Sequence, residues 1–110
     1  MEKWAIYNAN LGEGIDHEQS YNRPCIALMV DDSLGICVEV PLTSNLDALR
    51  FSNTISLPAD PENKLRSESI VLLFHIRSIS TGRIIGKQIG IVNEQQREKI
   101  KENLRLMLNL

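Results

Sequence analysis

Apolar positions along this chain come in short runs separated by polar breaks until residue 93, where the period changes. Trp4-Ala5-Ile6-Tyr7 predicts a first short strand, rich in residues that favour extended backbone. Asn8 to Asn22 is polar, contains Gly12 and Gly14, and predicts a loop. Such a connection is long for a compact domain, and long loops of this kind often carry function. Arg23-Pro24 then opens the run Cys25 to Val30, with Pro24 where a strand tolerates it, at the start. Asp31-Asp32-Ser33-Leu34-Gly35 has the chemistry of a hairpin turn. Ile36-Cys37-Val38-Glu39-Val40 predicts the returning strand, with Ile36, Val38 and Val40 on one face.

Pro41 ends that strand, and Thr43-Ser44-Asn45 begins a polar break. Asn53 to Leu57 alternates, Pro58 to Asn63 reads as loop, and Ser69 to Phe74 predicts a buried strand. His75 to Ser80 alternates apolar and polar and predicts a half-exposed strand, either separate from the last one or continuous with it. After Thr81-Gly82, β character resumes from Arg83 to Val92, where Gly86 and Gly90 indicate a bend or bulge. Asn93 followed by Gln96 is a helix cap with its third-position partner. Ile100, Leu104 and Leu108 then recur every four residues, with Met107 beside them and charged residues opposite. That is one amphipathic helix of about four turns. Five to seven short strands and a C-terminal helix predict a mainly β single domain over residues 1–110, a small barrel or compact antiparallel sheet.

Composition narrows the function classes. No apolar run approaches the ~20 residues that span a bilayer, and the N-terminus lacks a basic-then-apolar leader, so a cytoplasmic protein with no membrane contact is expected. Cys25 and Cys37 lie inside apolar runs and are expected as buried reduced thiols. Two cysteines and two scattered histidines give no zinc pattern, so neither metal nor other cofactor is expected. Net charge is −2, unlike a dedicated duplex binder. Charge is unevenly spread: residues 1–61 hold three bases and nine acids, residues 62–110 nine bases and five acids. A basic face on a mildly acidic protein is compatible with that division.

Two local features can carry chemistry. His17-Glu18-Gln19 followed by Arg23 combines an imidazole, a carboxylate, an amide and a fixed cation at the mouth of a strand. Thr43 and Ser44 place hydroxyls at the far end of the next strand. In a hairpin of these two strands, the start of one lies beside the end of the other, so Arg23 and Thr43 become neighbours.

In these blocks the sequence resembles the MazF/PemK family of toxin ribonucleases. The resemblance runs from Gly12 to the end of the chain, through Gly14, His17-Glu18-Gln19, Arg23-Pro24 and Val38-Glu39-Val40-Pro41-Leu42-Thr43-Ser44. It continues through Leu65, Glu68-Ser69, His75-Ile76-Arg77-Ser78-Ile79, Arg83 and Ile89-Gly90. It implies an SH3-like β-barrel of the CcdB/PemK toxin type with a C-terminal helix, and a homodimer. It also implies a cognate antitoxin, operator DNA met only through the antitoxin complex, and metal-independent cleavage of single-stranded RNA.

In such cleavage the ribose 2′-hydroxyl attacks its own phosphate, so the substrate supplies the nucleophile. The resemblance puts the phosphate-contacting arginine at Arg23 and the hydroxyl at Thr43. A guanidinium grips phosphate oxygens in fixed geometry. An unperturbed imidazole, with a pKa of ~6.5, is the side-chain type suited to proton transfer, which points to His17, whereas a threonine hydroxyl is a poor base near neutral pH. Glu18 suits holding Arg23 or the loop better than acting as a base. Gln19, Ser44, Arg77 and Arg83 are expected along the RNA path, and Tyr21 as a stacking surface.

Some relatives carry an arginine and an aspartate where this chain has Leu72 and Phe74, and a glutamine where it has His75. His75 fits a hydrogen-bonding role better than a second proton carrier. Leu72 and Phe74 cannot move protons, which leaves open a second class of function, an inactive RNA- or antitoxin-binding module. A gyrase poison of the CcdB type ranks below both: that group acts through a C-terminal Trp-Gly-Ile, whereas this chain ends Leu108-Asn109-Leu110.

Overall fold

A computed structural model describes residues 1–12 and 22–110. Among these residues seven strands precede one α-helix: β1 (Ala5–Asn10), β2 (Asn22–Asp31), β3 (Ile36–Thr43), β4 (Thr54–Leu57), β5 (Ser69–Leu72), β6 (Arg77–Ser80), β7 (Ile84–Ile91) and α1 (Glu94–Leu108). All pairings are antiparallel, in the order β4-β5-β3-β2-β1-β7, with β6 also on β3. Among the described residues no ladder joins β4 or β6 to β7, so the sheet is open and lacks the closed ring that the word barrel implies.

The β2–β3 hairpin turns where its polar residues require. Asp31 Oδ1 accepts from Ser33 Oγ and from the Leu34 N–H, and Gly35 takes φ +67°. The far edge of β3 is shared by two partners, β6 along Ile36–Glu39 and β5 along Leu42–Thr43. Pro41, with no N–H to give a ladder, sits in the gap between them. This corrects the junction of the two strands expected over residues 69–74 and 75–80. β5 stops at Leu72, a 3₁₀ turn Leu73–His75 packs against β3, and the chain resumes as β6 at Arg77. His75 therefore lies on a turn and not on a strand.

One face of the sheet forms the main core. Ile6, Ile26, Val40, Leu42, Ile55, Leu57, Val71 and Leu73 pack with Val92 and Ile100, and Leu104 and Met107 of α1 cover them. The helix starts as its sequence dictates, with Asn93 Oδ1 accepting from the Gln96 N–H at 2.8 Å. The opposite face carries a smaller cluster of Ala9, Cys25, Ala27, Cys37 and Ile79, with Leu11, Val30 and Ile84 against it. Both thiols are buried and free, as expected, and burial pushes Cys25 up to about 12.

Candidate active site

β2 and β3 pair as Cys25↔Pro41 and Ile26↔Val40, so Arg23 and Thr43 each lie two residues beyond the last pair of that ladder. Each end is held by another strand. Arg23 pairs with Ala9 of β1, and Thr43 with Ile70 of β5. Both side chains are half-buried, and Ser44 is exposed. The Thr43 hydroxyl oxygen accepts from the Asn45 N–H at 3.2 Å, a bond that does not use its O–H as donor. The Arg23 guanidinium makes no hydrogen bond or ion pair among the described residues. A fixed cation and a hydroxyl donor at adjoining strand ends suit a phosphate.

The turns beside Thr43 and after β5 assemble an aromatic group absent from the sequence reading. Phe51 and Phe74 meet edge to face with ring centroids 6.4 Å apart, and His75 lies 4.6 Å from Phe74. Arg50 sits over the Phe51 ring at 5.0 Å. Phe51 and Phe74 are 51% and 42% exposed, and with Ser52 they line an open pocket of about 440 Å³. These rings come from segments far apart in sequence, so no local motif announces them.

Behind Arg23, on the smaller-core face, lies a second feature that sequence reasoning missed. The pairs Ala27↔Glu39 and Glu39↔Arg77 put Glu39 on the same face as Ala27, Cys25 and Arg23. Glu39 is fully buried, and neither carboxylate oxygen has a hydrogen-bond partner among the described residues. Its counter-charge is Arg77, whose Nε lies 3.7 Å from Oε1. Burial raises the Glu39 carboxyl to about 7, against the pull of Arg77. Arg77 also donates from Nη2 to the Leu11 carbonyl at 2.8 Å, and Arg83 donates from Nη1 to the Asn10 carbonyl at 3.2 Å. The two arginines read in the sequence as guides for RNA thus also clamp the end of β1, although both remain exposed.

The chain matches the family described as PemK-like, MazF-like toxin of type II toxin–antitoxin systems over residues 2–108. It belongs to that family.

Solved MazF structures share its fold. MazF from Deinococcus radiodurans is 20% identical with a TM-score of 0.80, covering 100% of this chain and 97% of its own. An endoribonuclease from a mycobacterial species, in complex with its cognate antitoxin, is 18% identical with a TM-score of 0.72, covering 98% and 94%. The Mycobacterium tuberculosis toxin MazF-mt6 is 18% identical with a TM-score of 0.71, covering 96% and 97%. No curated protein sequence matches the chain. The MazF-like fold is thus established for this chain as a mainly β, antiparallel architecture with a C-terminal helix. Of the residues singled out in the sequence, His17, Glu18, Gln19 and Tyr21 lie outside the described residues. Among the described residues no three His, Cys, Asp or Glu side chains gather as a metal site, and no helix is long and apolar enough to cross a membrane.

Proposed function

We propose that this MazF/PemK toxin is a metal-independent endoribonuclease that cleaves single-stranded RNA by 2′-hydroxyl attack, leaving a 2′,3′-cyclic phosphate and a 5′-hydroxyl. The observation that carries the reading is the β2–β3 register, which sets Arg23 and Thr43 at adjoining strand ends. Arg23, with no ion pair among the described residues, stabilises charge on the phosphorane; Thr43 donates a hydrogen bond; His17 transfers a proton. Phe51 and Phe74 offer exposed faces on which bases stack in a sequence-tolerant way, with Ser44 beside Thr43 toward the RNA. The partners in this reading are a cognate antitoxin and a second copy of the chain, in the cytoplasm; operator DNA is met through the antitoxin complex.

Arg23→Ala tests the assignment. Turnover on a mixed-sequence RNA should fall about 10²–10³-fold, the scale for losing one charge-stabilising donor, while the thermal midpoint changes little. A variant that cuts at the normal rate shows that the site lies elsewhere. A second reading, a binding module that does not cut, is favoured by Leu72. This residue is buried with Ala48 and Ile70, so no proton carrier occupies that strand position. RNA binding without cleavage by the unaltered protein would select it.

A further inference from the structure

A buried carboxylate without hydrogen bonds is costly, and its retention in a sheet interior calls for a task. Glu39 has one charged partner among the described residues, Arg77, and that partner is divided. Its Nε faces Glu39 and its Nη2 holds the Leu11 carbonyl, so one guanidinium bridges the buried carboxylate and the segment where the chain leaves β1. The segment is pinned three more times. Arg83 holds the Asn10 carbonyl, the Leu11 side chain packs on the smaller core, and Asn10 Oδ1 accepts from the Gly12 N–H. Gly12 turns there with φ +84°, and a Cβ on it would stand 3.3 Å from Arg83 Nη1. This pinned segment is the ladder partner of the start of β2, through Ala9↔Arg23 and Asn10↔Asn22.

We infer that Glu39 is a positioning residue: through Arg77 it fixes the end of β1 and thereby the backbone of Arg23. The inference rests on the function proposed above only for its catalytic consequence. A guanidinium free of its buried counter-charge has other rotamers open to it, since it is half exposed, and loses its aim at Leu11. A neutral side chain at position 39 therefore loosens the β1 end without removing any group that touches RNA. Among the described residues, the charged and titratable groups that face Glu39 are Arg77 on β6, Cys25 on β2 and Cys37 on β3. Both thiols are raised by burial and stay neutral, so the Glu39 carboxyl is the member of this group that changes charge near neutral pH.

The test compares the unaltered protein with Glu39→Gln, Arg77→Ala and the double variant at pH 8. Amide hydrogen exchange is read residue by residue, and kcat and KM are measured on RNA. Glu39→Gln should speed exchange at Asn10 to Gly12 and at Asn22 and Arg23 by about tenfold, leaving β4 and β5 unchanged. It should lower kcat by a similar factor with KM within about twofold, and thermal stability at pH 8 should not fall. The double variant should match Arg77→Ala alone, because the two residues act along one path. Unchanged exchange at residues 10–12 in Glu39→Gln, or additive effects in the double variant, would overturn the inference. If the unaltered protein leaves RNA intact, the nuclease reading fails, and the exchange arm still decides the role of Glu39.

Discussion

Glu39 couples stability to pH with a sign opposite to that of most carboxylates. Its folded-state pKa, about 7, lies above the ordinary 4.5, so between those values the folded chain holds a proton that the unfolded chain has released. Its contribution to stability is therefore greatest at acid pH and is lost as pH rises from about 4.5 through about 7. Urea unfolding at pH 5 and pH 8 should show the unaltered protein losing about 1–3 kcal/mol across that interval relative to Glu39→Gln. Parallel pH dependences in the two proteins would show that the carboxyl is not held in this state. The same residue marks a limit of the sequence. The adjacency of Arg23 and Thr43 follows from hairpin reasoning, because they lie on consecutive strands, while the roles proposed for them come from the family resemblance. Glu39 stands in an apolar–polar alternation that reads as an outward-facing position. Only the third strand, β6, shows that its face is covered, and Ile79 and Arg77 arrive there from much further along the chain.

Among the elements, the hairpin β2–β3 and the helix α1 were legible because their signals are local: turn residues Asp31 and Gly35, and the Asn93–Gln96 cap. The strand reading through Phe74 and His75 failed because its apolar pattern continues while the partner changes, from β5's stretch of β3 to β6's. That break also creates the aromatic group of Phe51, Phe74 and His75. The loop Pro58 to Asn63 was read as loop but is tightly bonded. Buried Asn63 accepts from the Asp60 and Leu65 N–H groups and donates to the Pro58 carbonyl, and Asp60 Oδ2 accepts from the Asn93 side chain. Gly90 of β7 lies against this loop so closely that a Cβ would stand 2.1 Å from the Asn63 carbonyl oxygen. Gly90→Ala should therefore destabilise the fold by about 3 kcal/mol or more, read by chemical unfolding. A change under about 0.5 kcal/mol would show that the loop yields.

At the scale of the molecule, the sheet's main-core face is capped by a helix whose outer end remains uncovered. Leu106 is 74% and Leu110 85% exposed, and Leu108 is also exposed, at a density of large apolar side chains that favours a partner. Together with the proposed homodimer, this predicts a sedimenting species of twice 12.4 kDa at micromolar concentration. A single 12.4 kDa species at that concentration would contradict the dimer. A second copy also doubles the number of Arg23–Thr43 ends available to one RNA strand, a gain in effective concentration that needs no new contact.

The central claim is that the substrate's own 2′-hydroxyl is the nucleophile, with Arg23 and Thr43 at the phosphate. The most direct measurement is to incubate the purified protein with a mixed-sequence single-stranded RNA in excess EDTA and analyse the ends of the fragments. The account predicts cleavage undiminished by the chelator, with 2′,3′-cyclic phosphate and 5′-hydroxyl ends. Loss of cleavage in EDTA with recovery on adding magnesium, or fragments bearing a 5′-phosphate, would contradict it.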